Sequence, residues 1–324
     1  MPQSMLRIVV IVSAIVFSLA SAFAVTPYPT RVIRIVVPFS AGGLNDNVAR
    51  IIQPSLQEEL GQPIIIENRT GASGIIGTDT VAKSAPDGYT LLVVASSHTV
   101  SPATNAKLPY DTERDFAPIS TLVRDPFLFV VGASVPAKTL AEFIAFAKSN
   151  PAKINYATPG TASQSHLVTE LLSQRAGIKM LEVPYRGGAP AVLALISGEV
   201  QFAVLSAQLS APQIQGGKIR AIASGGRTRD AHFPDLPTLS ESGFPNMEAL
   251  QWVGMLAPAG TPKDVILQIN SALKKTLSKP DVVTKLATQG VSAMASSPEE
   301  FQTLISTEIR EWREVAQRAG LSPQ

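Results

Sequence analysis

Val32-Ile33-Arg34-Ile35-Val36-Val37-Pro38-Phe39-Ser40-Ala41-Gly42-Gly43-Leu44-Asn45-Asp46 is the stretch on which the reading of this chain turns. Its first eight residues form a β-branched apolar run of strand length that stops at Ser40-Ala41-Gly42-Gly43, as a buried strand does. Beyond the glycines, Val48, Ile51, Ile52, Leu56 and Leu60 recur at helical spacing. Residues 45–60 therefore predict an amphipathic helix closed by Gly61, with a kink at Pro54. A buried strand, a glycine-rich turn and a helix, in that order, begin a parallel α/β sheet. In such sheets the loops at the carboxyl ends of the strands line the ligand crevice.

Outward from this unit the alternation continues. Strands are expected at 64–67 and 89–95, and Gly71-x-x-Gly74-x-x-Gly77 opens a helix toward Lys83. The third strand ends at Ser96-Ser97-His98-Thr99. A charged, proline-punctuated stretch, 111–126, precedes a strand at 127–131, where the pattern starts afresh. Helices follow at 140–149, 163–176 and 189–197, with strands at 154–157, 180–183, 200–205 and 220–223. After the loop 225–237, a strand at 252–257 returns the chain to the first unit. Thr261-Pro262-Lys263-Asp264 and Ser297-Pro298-Glu299-Glu300 each place a hydroxyl at the N-cap, proline at N1 and an acid at N3 of a closing helix. Two doubly wound α/β domains joined by two crossings are predicted: 25–131, 132–224 and 225–324, with the first and last pieces in one domain. Such a molecule hinges like a clam. No internal repeat is visible.

The amino terminus predicts where the protein works. Arg7 precedes the apolar run 8–20, which is followed by Ser21-Ala22-Phe23-Ala24. That is the pattern of a signal peptide, too short to span a bilayer, with cleavage expected after Ala24. Removing residues 1–24 leaves 26 basic against 25 acidic residues, a net charge of +1, so no global field draws nucleic acid. The absence of cysteine excludes disulfides and an N-terminal lipid anchor on cysteine. Charged residues make up only 16% of the chain, against a typical ~25%, as expected of a compact, loop-punctuated fold.

Reactive constellations are missing. There is no Gly-x-Ser-x-Gly elbow and no phosphate-binding Gly-x-x-x-x-Gly-Lys loop, and Gly71, Gly74 and Gly77 are wrongly spaced for a dinucleotide fingerprint. His98, His166 and His232 lie far apart, which argues against a dedicated metal site. No cofactor is expected, and the chain reads as a binding protein rather than an enzyme. What remains are two hydroxyl- and glycine-rich loops before helices. Ser40-Ala41-Gly42-Gly43 puts unpaired amides and a helix N-terminus at a sheet edge, where an anion is favoured, and both glycines are expected to permit close approach or a positive φ. Thr158-Pro159-Gly160-Thr161-Ala162-Ser163 repeats the device in the second unit. Asp46 suits the dipole of the first helix and is also a candidate ligand contact. His166 could face the cleft or cap its helix, and Arg186 could clamp a carboxylate. Trp252 and Trp312 read as core.

At full length the chain resembles the tripartite tricarboxylate transporter receptors of the Bug type. The resemblance rests on Tyr28-Pro29, on Ile35-Val36-Val37-Pro38-Phe39-x-x-Gly42-Gly43-x-x-Asp46 and on Glu67-Asn68-Arg69-x-Gly71-Ala72-x-Gly74-x-x-Gly77. It continues through Ala85-Pro86-Asp87-Gly88-Tyr89-Thr90-Leu91, Leu108-Pro109-Tyr110-Asp111, Asp115-Phe116-Ala117-Pro118, Ala147-Lys148, Asn155-Tyr156, His166-Leu167, Glu170-Leu171, Val183-Pro184-Tyr185-x-Gly187 and Pro237-Thr238. Near the end Trp252-x-Gly254, Leu256-Ala257-Pro258-Ala259-Gly260-Thr261-Pro262 and Trp312 agree. The resemblance implies a type II periplasmic binding protein fold and a small carboxylate held between the domains, partly through ordered water. It also implies delivery to transporter membrane subunits, with a sensor role as the alternative. Carried onto this chain, the ligand positions are Phe39, Ser40, Ala41, Gly42 and Gly43, with Ser96, Ser97 and His98 adjoining. Across the cleft they are Thr158, Gly160, Thr161, Ser163, Tyr185, Gly187, Leu205 and Ser206. A monomer is expected. Many such receptors carry an acid after the strand at 200–205, whereas this chain reads Leu205-Ser206-Ala207, so an unaminated carboxylate is the expected ligand.

Overall fold

The computed structural model describes residues 28–321 apart from residues 106, 152, 186, 231 and 232. The expected signal segment, Arg186 and His232 therefore lie outside the described residues. The decisive stretch forms β1 (Ile33–Val37) and α1 (Leu44–Leu60), which runs on through Pro54 and ends at Gly61 in the left-handed region. Then come β2 (Ile64–Asn68), a 3-10 turn at Ala72–Gly74, α2 (Ile75–Ala82), β3 (Thr90–Ala95) and α3 (Ser97–Thr104). The middle of the chain supplies β4 (Phe116–Gly132), α4 (Leu140–Ser149), β5 (Asn155–Thr158), α5 (Gln164–Ala176), β6 (Leu181–Pro184), α6 (Gly188–Ser197), β7 (Phe202–Ser206), α7 (Ala207–Gln215) and β8 (Ile219–Ser224). The last part gives β9 (Leu250–Pro258), α8 (Lys263–Ser278), α9 (Pro280–Thr288), β10 (Ser292–Ala293) and α10 (Pro298–Arg318).

Strand order is β2-β1-β3-β9-β4-β7-β5-β6, with β8 and β10 also paired to β4. The βα units are parallel as expected: β1 with β2 and β3, and β5 with β6 and β7. The joining strands are not. β9 runs antiparallel to β3 and β4, and β4 runs antiparallel to β7, so the sheet is mixed.

The main departure from the sequence reading is β4, which starts at Phe116 rather than at 127. Its first part pairs β9 and its last part pairs β7 and β8, so this one strand belongs to both halves of the sheet. Pro118 sits at a register irregularity and Pro126 at the crossing, two places where a missing ladder N–H is tolerated. Three further features differ from the sequence reading. Residues 97–99 do not end the third strand but open α3. α7 carries no apolar stripe, because only Ala207 and Ser210 among its residues are buried, and periodicity could not reveal it. Thr261 does not cap its helix: its hydroxyl donates to Pro258 O at 2.7 Å and α8 begins at Lys263. Ser297 and Glu300 do form the expected capping box.

Three backbones meet where the halves join. Phe127 N donates to Ala249 O, Ala249 N to Gly225 O and Gly225 N to Phe127 O, at 2.8–2.9 Å. A Cβ at Gly225 would stand 2.2 Å from Ala249 O, so only glycine closes this ring. The 21-residue α10 straddles the same junction. Its Phe301, Ile305 and Ile309 pack with Val36, Leu92 and Trp252 of the first half, while Trp312, Val315 and Ala316 pack with Phe129, Phe143 and Phe202 of the second. Leu239, Met247 and Ala249 join the second core too.

Two carboxyls lie at this junction, Asp125 buried and Glu308 half-buried. Asp125 Oδ1 accepts from Ala207 N at 3.2 Å, and Oδ2 has no partner among the described residues. Glu308 of α10 takes the Trp252 indole N–H at 3.0 Å and lies 2.6 Å from Thr99 Oγ1. Burial raises Asp125 to about 7, against the Ala207 N–H and with help from Asp230. Burial likewise raises Glu308 to about 7, despite its hydroxyl and indole partners. The folded protein thus holds protons that the unfolded chain has released, so both groups withdraw stability as pH climbs from about 4 to above 7. Asp125→Asn keeps an oxygen for Ala207 N–H and removes the charge. It is expected to melt above the wild type at pH 8, with the gap narrowing at pH 5; equal gaps in melting curves at the two pH values would contradict the assignment to Asp125.

Candidate functional site

Helix N-termini gather at the carboxyl edges of β1, β3, β5, β6 and β7, because each strand there is followed directly by a helix. The first loop is held from behind. Asp46, 1% exposed, accepts from Gly42 N, Arg50 Nε and Asn68 Nδ2, each at 2.9 Å. The same Asn68 amide donates to Phe39 O at 3.0 Å, so both ends of the loop are tied to one buried carboxylate. Burial opposes its charge, yet the Arg50, Gly42 and Asn68 donors outweigh burial and hold Asp46 below its usual range. The Asp46 side chain is therefore a brace, and what this residue leaves open to a ligand is its backbone N–H. Gly42 has φ +81°, the left-handed region that favours glycine. Gly43 has φ −75°, so the positive φ expected of either glycine belongs to Gly42 alone. Gly43 caps α1 without a side chain, and the amides of Leu44, Asn45 and Asp46 have no acceptor among the described residues. Three unpaired N–H groups with the helix dipole behind them suit an anionic oxygen. Ser40, Ala41, Gly42 and Gly43 are exposed and Phe39 is half-buried, its ring beside Gly74.

The second loop is braced in the same way by an acid that sequence reasoning passed over. Glu182 of β6 receives Thr158 Oγ1–H at 2.7 Å and Thr161 Oγ1–H at 3.1 Å, and its Oε1 lies 3.1 Å from His166 Nδ1. Burial pushes Glu182 up, but His166, Thr158 and Thr161 together keep it below its ordinary value. His166 is buried with Nδ1 facing both Glu182 Oε1 and Ala162 N, each 3.1 Å away, and Ser163 Oγ caps α5 by accepting from His166 N at 3.3 Å. The hydroxyls of Thr158 and Thr161 are thus committed to Glu182. The amides of Thr161, Gln164 and Ser165 have no acceptor among the described residues. The 185–188 loop lies alongside: Tyr185 N donates to Thr158 O at 2.9 Å and Gly187 N to Pro159 O at 3.2 Å.

Other expected positions fall elsewhere. His98 is packed between Tyr110 and Phe116, with ring centroids 6.3 Å and 5.2 Å away, and burial lowers it to about 4, so it is a neutral core ring. Ser97 is exposed, and Ser96 is buried with its hydroxyl on Gln164 Oε1. Leu205 packs with Leu128, Val130 and Ala191, and Ser206 Oγ caps α7 through Leu209 N at 3.4 Å. Leu205 therefore points into the core and gives no ground for preferring an unaminated acid. An acid does lie beside that strand end: Asp125 of the neighbouring β4 accepts from Ala207 N. Among the described residues, no hydrogen bond joins 39–43 to the second-half loops, whereas Ser96 and Gln164 do meet. Among those residues no three His, Cys, Asp or Glu side chains are grouped to hold a metal.

Comparison with known proteins follows the fold. Residues 48–321 match the model of the tripartite tricarboxylate transporter family receptor. Protein BugT of Bordetella pertussis is 35% identical over 304 residues, spanning 93% of each chain. An adipate-bound protein of R. palustris, Rpa4515, superposes with TM-score 0.76 at 33% identity, over 92% of this chain and all of that one. Malate-bound MatC of Rhodopseudomonas palustris gives TM-score 0.71 at 34% identity, over 89% of this chain and 99% of that one.

Asp46→Asn tests the first brace. Charge-assisted hydrogen bonds contribute about 1.5–3 kcal/mol each, so urea denaturation at pH 7 should show a loss of roughly that size. A carboxyl whose folded value is depressed stabilises above its unfolded value and ceases to as pH falls through the folded one. The difference from wild type should therefore shrink below about pH 4, the ordinary carboxylate range.

Proposed function

The chain belongs to the tripartite tricarboxylate transporter receptor family, and from that premise we propose that it is an exported solute receptor whose first loop seats a ligand carboxylate. The observation that carries this reading is the set of unpaired amides at Leu44, Asn45 and Asp46, held in place by the buried Asp46 carboxylate. A second contact comes from the amides of Thr161, Gln164 and Ser165, on the α5 side. Amides and a helix dipole stabilise a carboxylate without burying a counter-charge, which suits a receptor that must also release its ligand. The adipate and malate held by the two neighbours make a dicarboxylate the first candidate.

In this reading the two halves are domains that hinge where β4 and β9 cross, near 126–127 and 249–250, and the closed monomer presents the ligand to membrane subunits of a transporter. Chemistry on the ligand is not part of the proposal. Export would use the segment 1–24, so N-terminal sequencing of protein recovered from the periplasm should begin near Val25; an intact Met1 in a membrane fraction contradicts this.

A melting screen with adipate, malate, succinate and aspartate tests ligand class. An acid at 100 times its Kd stabilises the folded protein by about 2.7 kcal/mol, a readily seen shift. Leu44 then isolates the amide. Proline is tolerated at the first helical position, and Gly43 already has the extended conformation required before proline, with ψ 167°. Leu44→Pro should fold and bind the selected acid about tenfold or more weakly, as loss of one charge-assisted bond implies, whereas Leu44→Ala keeps the N–H and most of the affinity. Equal calorimetric affinities for the two variants would remove this amide from the site.

A further inference from the structure

Gln164 carries a role that neither loop explains. It is the first residue of α5, directly after the second candidate loop, yet its side chain bonds outside its own half. Oε1 accepts from Ser96 Oγ, at the end of β3 in the first half, and Nε2 donates to Leu250 O, the first residue of β9, at 3.0 Å. Both side chains are buried, at 7% exposure for Gln164 and 2% for Ser96. On the other flank of the crossing strands, Ala207 N of α7 reaches Asp125 Oδ1 of β4. The second half thus meets the first at these two helix starts, and Gln164 also adjoins the Thr161 and Ser165 amides of the second candidate loop.

We propose that Gln164 is a positioning residue for ligand binding: its amide fixes the register between the Ser96–α3 edge and the 158–163 loop, and so sets affinity from beside the ligand. The role rests on the receptor reading. A buried amide with both ends paired is stable, whereas separating α5 from β3 leaves an oxygen and an N–H without partners in an apolar setting. The bonds therefore resist relative displacement of the two segments, and each segment holds the other in place.

Gln164→Leu removes both polar ends at similar volume. In ligand-free protein, hydrogen–deuterium exchange of amides at 96–99 and 158–163 is expected to quicken about tenfold, the effect of losing a buried hydrogen bond, with α4 unchanged. Adipate or malate, whichever the wild type binds, should dissociate faster and bind about tenfold more weakly. Ser96→Ala breaks one of the same bonds, so its loss of affinity should vanish in the double variant instead of adding. Unchanged exchange at both segments, or fully additive losses, overturns the proposal. Should Gln164→Leu fail to fold, Gln164→Glu keeps the acceptor for Ser96 and removes the donor to Leu250, and the same exchange comparison decides. A wild type that binds none of the four screened acids defeats the receptor reading, while exchange still judges Gln164.

Discussion

The buried carboxylate of Asp46, bonded to Gly42 N, Arg50 and Asn68, fixes where the loop after β1 lies. The proposed carboxylate seat in the first half rests on that one ion. With the Asp46 acceptor in place, Gly42 can hold its left-handed conformation and Phe39 O is tied through Asn68, so the loop leaves α1 open at its N-terminus. The start of α1 has no side-chain cap, so its backbone N–H groups, which do not titrate, are the donors that the proposed function assigns to the ligand carboxylate. Glu182 does the same for the second loop through Thr158, Thr161 and His166. In both cases the negative charge sits behind the loop, and the donors are left for the other side.

The junction between the halves is made differently. It combines the backbone ring of Phe127, Gly225 and Ala249, the helix α10 that packs into both cores, and the polar contacts of Gln164 and Asp125. Backbone pairing and shared apolar packing resist separation, while two acids raised toward neutrality, the buried Asp125 and the half-buried Glu308, make the region respond to pH.

Much of this was legible in the chain itself. The βα alternation, the Ser297 capping box and the glycine-rich loop after β1 follow from local periodicity and turn chemistry, and they appear where expected. The first part of β4 was hidden because Pro118, Arg124, Asp125 and Pro126 imitate a loop, and only long-range pairing with β9 makes them a strand. Glu182, Asn68 and Gln164 were missed for the same reason, since their partners lie on other elements and no spacing rule announces them. Leu205 was misread because a position at a strand end does not say which face the side chain takes, and here it enters the core.

Amide resonances offer the most direct trial of the claim that backbone N–H groups at the start of α1 hold the ligand carboxylate. In 15N-labelled protein titrated with the acid that binds, the account predicts saturable downfield proton shifts at Leu44, Asn45 and Asp46, with no shift when the neutral diamide of that acid is added. Tight binding of the acid with those three amides unmoved would contradict it.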